Sequence, residues 1–209
     1  EAERGFPYGP DDLMLAQSRF RTGDGTQFAT LVGIPREHVT RLEAVLQTAQ
    51  LRPVTSSLGL PALQPANPEG GALALLPGDS TVGMQISCGG GLAALRTLDG
   101  AYEQVGAARE LQIDHITREL RITLGQLPAP VRDELKRLRI LGRSEAAMQL
   151  AEELRGPAES WGLRLEPVRD HAAEEYGVKV PAGTAVSVAL SLAVRFLAGR
   201  AGMEFLPPK

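Results

Sequence analysis

Apolar positions recur along this chain with a period of two in some stretches and near three and a half in others, and the two rhythms divide it into elements. The clearest run lies between Gly70 and Asp99. Residues 72–76, 82–87 and 92–98 are short apolar segments separated by Pro77-Gly78-Asp79-Ser80 and Gly89-Gly90-Gly91 and closed by Asp99-Gly100. Segments joined this tightly predict an antiparallel three-strand meander. Upstream, residues 13–20 and 28–34 flank Thr22-Gly23-Asp24-Gly25 and predict a hairpin. Pro35 then opens a helix on which Val39, Leu42, Leu46 and Ala49 share a face as far as Gln50, and residues 52–55 are expected to return as a strand. This first unit is poor in apolar residues and must lean on another surface. Residues 58–68, with Pro61, Pro65 and Pro68, predict a broken helix or connector and place a boundary between a small α+β unit, 1–67, and a larger one, 68–209.

After the meander, residues 107–124 are expected to form a helix with Ile113, Ile116, Leu120 and Leu124 on its buried face, stopped by Gly125, Pro128 and Pro130. A short helix at 131–136, a buried strand at 138–141, a helix at 144–154 capped by Ser144, and a strand at 163–168 follow. The final helix, 184–197, is apolar around most of its circumference, which predicts deep burial. A meander followed by helix and strand crossovers makes a mixed sheet with helices packed on it. That order resembles the ribonuclease-H-like half of an actin-type fold, which is therefore the α/β fold expected here.

Composition narrows the function classes. With 43% apolar residues in 209 a core is easily built, and a net charge of −3 with both signs interspersed gives no global field for nucleic acid or an anionic membrane. The basic cluster Arg132, Lys136, Arg137, Arg139 and Arg143 lacks interleaved aromatics and reads as a charged helix face. The single cysteine, Cys88, fits a reducing compartment and a structural role. No run reaches the roughly 18 apolar residues of a membrane span, since the most apolar stretch, 183–198, is short and interrupted by Arg195. Because the chain opens at Glu1 with no initiator Met and no signal-like run, it is expected to be a piece of a longer protein.

Candidate chemistry is sparse. The turn 77–81 offers a glycine, two hydroxyls and a carboxylate, the makings of a phosphate cradle, although a plain hairpin connection explains the same residues and neither a P-loop nor GxGxxG is present. The triple glycine is accounted for by a turn that needs positive φ. His38, His115 and His171 have no partners at ligand spacing, so no metal is expected, and no GxSxG or assembled triad points to a catalytic residue. The adjacent carboxylates Asp11-Asp12, Glu152-Glu153 and Glu174-Glu175 diverge from one another and read as solvated surface.

The stretch LVGIPREHVTRLEAVLQTAQLRPV, residues 31–54, resembles the strand, helix and return strand of PilM-type type IV pilus assembly proteins, actin-like cytoplasmic components of an inner-membrane platform. ITRELRITLGQLPAP (116–130) and LRILGRSEAAMQLAEELRGPAESWGLRLEPV (138–168) resemble their second large domain. The resemblance implies an actin-like fold, here a fragment lacking the complete first domain. Family members that bind ATP place a first phosphate loop ahead of the region seen here, an acid at the end of the first meander strand, and a glycine pair after the buried strand. In this chain Leu76 and Pro77 stand in place of the acid, Asp79 lies inside the turn, and Gly142 is followed by Arg143. Only Gly78, Thr81 and Gly142 carry over as a degenerate nucleotide site.

The resemblance, extended to GspL-type adaptors of type II secretion, therefore implies a non-catalytic scaffold at the cytoplasmic side of the inner membrane, without cofactor. The alternative is an ATP- and Mg-binding PilM-type protein whose site an N-terminal segment completes. A ribonuclease-H-like nuclease would need several carboxylates on adjacent strand ends, and the meander strands carry none. The end of the chain, Glu204-Phe205-Leu206-Pro207-Pro208-Lys209, resembles the short Leu-Pro motif that opens PilN-type membrane partners and that PilM-type proteins bind in a groove. Phe205, Leu206 and Pro207 are thus expected to dock, in cis or on a neighbouring copy. A PilN-like segment is the expected partner, in cis or in trans, beside other components of the pilus or secretion platform.

Overall fold

The computed structural model describes residues 6–65, 70–106, 108–200 and 202–206. A hairpin comes first, β1 (Leu13–Arg21) and β2 (Gln27–Pro35), paired in register from Leu13 opposite Pro35 to Arg21 opposite Gln27, and α1 (Arg36–Thr48) follows it. The large unit then runs β3 (Gly71–Pro77), β4 (Val82–Cys88), β5 (Gly91–Leu98), β6 (Tyr102–Val105), β7 (Ala108–Leu111), α2 (Ile113–Gln126), α3 (Ala129–Glu134) and β8 (Leu135–Leu141). It closes with α4 (Glu145–Glu153), α5 (Arg155–Ser160), β9 (Arg164–Val168), β10 (Glu174–Glu175), β11 (Val178–Lys179) and α6 (Val188–Leu197).

Five strands form the central sheet in the order β5-β4-β3-β8-β9. The meander pairs antiparallel, whereas β8 joins β3, and β9 joins β8, in parallel. This is the ribonuclease-H-like arrangement expected from the sequence. As the central strand, β3 has both faces covered, and its Ala72, Leu73, Ala74 and Leu75 are all buried. Leu73, Leu75, Met84, Ile86, Leu138 and Ile140 meet Ile116 and Leu120 of α2 and Leu150 of α4 in the main core. Burial of each such side chain contributes about 1.5–3 kcal/mol of hydrophobic stabilisation. Ala74 and Leu141 lie in a second cluster with Leu63, flanked by Val168, Val186 and Val188.

Several expectations are corrected. Residues 52–55 form no strand, because Pro53 has no N–H to give and the polar groups that follow bond to the chain's end. The expected helix at 107–124 begins only at Ile113. Residues 108–111 are instead β7, paired with β6 across a turn where Gly106 takes φ +63, while Ala107 lies outside the described residues. The short helix ends at Glu134, and Lys136 already belongs to β8, so helix and strand abut without a loop. The last helix starts at Val188, where Ser187 accepts a capping bond from the Leu190 amide; of the residues before it, Ala185 forms an isolated antiparallel bridge with Asp170, and 174–179 make the small hairpin β10–β11. Nor is this helix deeply buried: Leu197 is 72% exposed and Phe196 45%. The expected boundary at 67/68 falls in residues 66–69, outside the described residues.

The small unit does lean on the large one. Phe20 and Phe28 stack with ring centroids 5.3 Å apart and join the main core. The triple glycine does more than turn the chain: a Cβ at Gly91 would stand 2.7 Å from the Phe20 Cβ, and one at Gly89 would overlap the Arg21 carbonyl. Gly89 and Gly91 are therefore where β1 lies against the start of β5, and the Leu92 amide donates to the Ser18 hydroxyl at 2.8 Å. On α1, by contrast, Val39 is buried while Leu42 and Val45 face outward.

Candidate functional site

The sheet topology brings the degenerate nucleotide positions together. Leu75 of β3 lies opposite Ile140 of the parallel β8, so Gly78 and Gly142 leave adjacent strands at the same sheet end, where open α/β sheets bind ligands. Local bonding then engages the groups a phosphate would use. The Gly78 amide donates to the Thr81 carbonyl at 2.8 Å, closing the turn on itself. Its carbonyl accepts from the Tyr102 hydroxyl at 2.9 Å, and the Asp79 carbonyl accepts from Arg109 at 2.7 Å. Burial, reinforced by the charge of Asp79, raises the Tyr102 pKa, so the phenol remains a donor. The β6–β7 hairpin thus clamps the turn from outside, an interaction the sequence hides because the residues of β7 fall within the expected helix 107–124.

At Gly142 (φ +108) the amide donates to the Val168 carbonyl at 2.9 Å. Arg143 forms an ion pair with Asp170 and donates to the Gly183 carbonyl at 2.6 Å, pinning the loop to the segment before α6. Ser144 caps α4, as expected, by accepting from the Ala147 amide at 3.2 Å.

Below this edge, Arg139 and His171 line a cavity of about 410 Å³ together with Leu63, Asp170 and Glu175. The Nε2 of His171 accepts from the Ser187 amide at 3.1 Å, so Nδ1 carries the proton and donates to Glu175 at 2.8 Å. His171 therefore ties β10–β11 to the start of α6, a structural task. Among the described residues no group of three His, Cys, Asp or Glu side chains could hold a metal ion. None of their helices is long and apolar enough to cross a membrane.

A second locus forms at the other end of the chain. Phe205 is 2% exposed and, with Met203, lies between Ala16 of β1 and Leu92 of β5, flanked by Met14, Val32, Ile34, Leu58 and Leu95. This groove exists because the glycines at 89 and 91 let the first hairpin approach β5. The Phe205 amide donates to the Ser56 carbonyl at 2.9 Å, and Ser56 returns its own amide to Glu204 Oε1 at 2.9 Å. The Thr55 hydroxyl donates to Oε2 of the same carboxylate, and the Leu206 amide folds back to Oε1 at 2.9 Å. Burial raises the Glu204 pKa more than any other single cause, yet the bonds from Thr55, Ser56, Leu206 and Phe205 together hold it below the ordinary value. Leu206 is half-buried, and Pro207 lies outside the described residues. The sequence points to Phe205 and Leu206 but not to Glu204, Thr55 and Ser56 as a site, the one visible signal being the run of three hydroxyls Thr55-Ser56-Ser57.

The fold class is thus an actin-like, ribonuclease-H-like α/β sheet with a small hairpin-and-helix unit docked on its meander edge. No family model matches the chain. No curated protein matches it either. Among solved structures, a chain of the PilM-PilN type IV pilus biogenesis complex is similar at 22% identity and a TM-score of 0.56, over 80% of this chain and 59% of that one. A protein with actin-like ATPase fold and unknown function from Bacteroides thetaiotaomicron is similar at 11% identity and a TM-score of 0.42, over 79% of this chain and 57% of that one, too slight a likeness to carry an argument. The chain spans less than two thirds of each. The PilM-type, actin-like fold expected from residues 31–54 and 116–168 is the fold this chain adopts.

Proposed function

We propose that the chain is a non-catalytic adaptor of a type IV pilus or type II secretion platform at the cytoplasmic face of the inner membrane, and that its β1/β5 groove is the seat for a PilN-like segment. The observation that carries this reading is the burial of Phe205 and Met203 in a groove of a PilM-type fold, by a terminal stretch that begins like a PilN-type motif. The neighbour's assembly with PilN supports the partner class. Phosphate recognition is disfavoured by the Gly78 amide, which Thr81 already engages.

The alternative, an ATP- and Mg-binding protein, draws support from the placement of Gly78 and Gly142 at one sheet end. A single binding experiment separates the two. A Phe205→Asp chain, whose own tail is expelled by the buried charge, is titrated with a labelled PilN-like peptide and, separately, with Mg-ATP. Saturable peptide binding without nucleotide binding is the expected outcome. Nucleotide binding that is lost on Thr81→Ala, with no peptide binding, overturns the adaptor reading.

A further inference from the structure

A large apolar anchor explains why the tail enters the groove, but it leaves unexplained why the polar contacts converge on one residue. Glu204 stands at the exposed rim while Phe205 fills the floor. Its carboxylate receives the Thr55 hydroxyl and the Ser56 amide from the groove wall and the Leu206 amide from the tail itself. In a regular strand pair the Ser56 amide would find a backbone carbonyl opposite. Here a side-chain oxygen takes that place, which lets the tail bend at Leu206 instead of continuing along the connector.

We infer that Glu204 is the residue through which the groove selects its occupant: the Thr55–Ser56 rim takes a carboxylate placed directly before a large apolar residue, and the chain's own tail supplies both. Spacing imposes the rule. The Phe205 amide is fixed on the Ser56 carbonyl at 2.9 Å, so only the side chain immediately before it reaches the Ser56 amide. A glutamine keeps one acceptor oxygen and loses the charge. An alanine leaves the Ser56 and Leu206 amides without an acceptor, and lysine adds a donor to a rim already made of donors. Hydrogen bonds to a charged acceptor are the strong kind, so the loss is read as a factor of about ten or more in tail release. The inference rests on the adaptor reading only in treating the groove as a peptide seat.

The experiment is amide hydrogen exchange on the full chain, comparing wild type with Glu204→Gln and Glu204→Ala. Expected are amides at 56 and 205–206 that exchange about tenfold or more faster in the alanine variant and to an intermediate degree in the glutamine variant, with β3 and β8 unchanged. A Thr55→Ala chain and the Thr55→Ala/Glu204→Ala double variant complete a cycle, in which the two effects should be clearly non-additive. Unchanged exchange at 56 and 206 in Glu204→Ala overturns the inference. So does acceleration spread evenly over the sheet, or strict additivity in the cycle. None of these readouts involves a pilus partner, so a PilN-like peptide that fails to bind sinks the adaptor reading alone.

Discussion

Replacing Phe205 by alanine tests the groove most directly. The side chain is 2% exposed and meets Ala16, Leu92 and Met203, with Met14, Val32, Ile34, Leu58 and Leu95 around them. For an internal core position Phe→Ala costs about 3–5 kcal/mol, the transfer term plus the cavity left behind. Phe205 differs in one respect: it lies in a short segment, 202–206, that has no helix or strand of its own and can leave the groove as a unit. Once the alanine tail is no longer worth holding, it undocks, and further loss stops at the free energy of docking. The expected cost is therefore nearer 2–3 kcal/mol than 5, because the cavity term is relieved by release. Denaturant unfolding followed through the single tryptophan, Trp161, which packs against the main core and not the groove, reads this global loss. A change within about 0.5 kcal/mol, the level of ordinary surface sites, would refute the reasoning, since it would mean that the apolar contact seen here stabilises nothing.

The other predictions are briefer. Leu120→Ala should cost about 2–5 kcal/mol and Leu124→Ala distinctly less, because Leu120 is fully buried while Leu124 is only half-buried at the edge of the core; equal losses by denaturant melts would contradict that placement. Mg-ATP titrated calorimetrically into the wild-type chain should give no saturable heat. Burial, helped by Glu134 accepting from the thiol at 3.0 Å, pushes the Cys88 pKa up to about 12, so at pH 8 the thiol stays protonated and alkylates far more slowly than free cysteine; labelling at the free-thiol rate, seen by mass spectrometry, would count against it. Glu204, with its pKa lowered in the folded chain, contributes to tail docking fully above the ordinary carboxyl range and loses that contribution as pH falls through its folded value. Exchange at residue 56 should therefore, after correction for intrinsic rates, be flat near neutrality and accelerate in acid, and Glu204→Gln should abolish the acid limb.

The parts of this fold that were legible share a cause: local pattern and burial agree there. The meander reads correctly because each of its strands is bounded by turn residues, with Gly89, Gly90 and Gly100 at positive φ, and α4 because Ser144 sits at its start and the periodic positions Ala147, Leu150 and Ala151 face the core. Residues 108–111 were misread because Ala108, Arg109 and Glu110 are good helix formers joined without interruption to a real helix. Only the partner strand, Tyr102–Val105, and the bond from the Gln112 amide to the Ala101 carbonyl make them a hairpin. The last helix misled in the opposite sense. Its composition is apolar all round, yet Ser191 and Val194 face inward and Leu197 outward, so composition alone does not measure burial. The groove's rim was invisible for a further reason: Thr55 and Glu204 are 149 residues apart, and nothing local marks them as partners.

That separation also bears on how the small unit is held. A two-stranded hairpin with one loosely seated helix does not stand alone in water. Here β1 is fixed to β5 by two glycines and the Ser18 bond at one end, and by Phe20 on the core. At the other end, Met14, Ala16, Val32 and Ile34 have as their apolar cover Leu92 and Leu95 of β5, Leu58, and the tail residues Met203 and Phe205. The tail is thus a wedge closing one side of a cluster to which the hairpin and the sheet contribute the rest. Whatever occupies the groove necessarily touches both units, so occupancy must stabilise the attachment of the hairpin to the sheet as well as the occupant itself. Exchange of the β1–β2 amides should then rise when Phe205 is removed and fall again when a segment rebinds, while the amides of β8, remote from the groove, stay as they are. Hairpin protection that ignores the state of the tail would show that the glycine contact alone holds the unit in place.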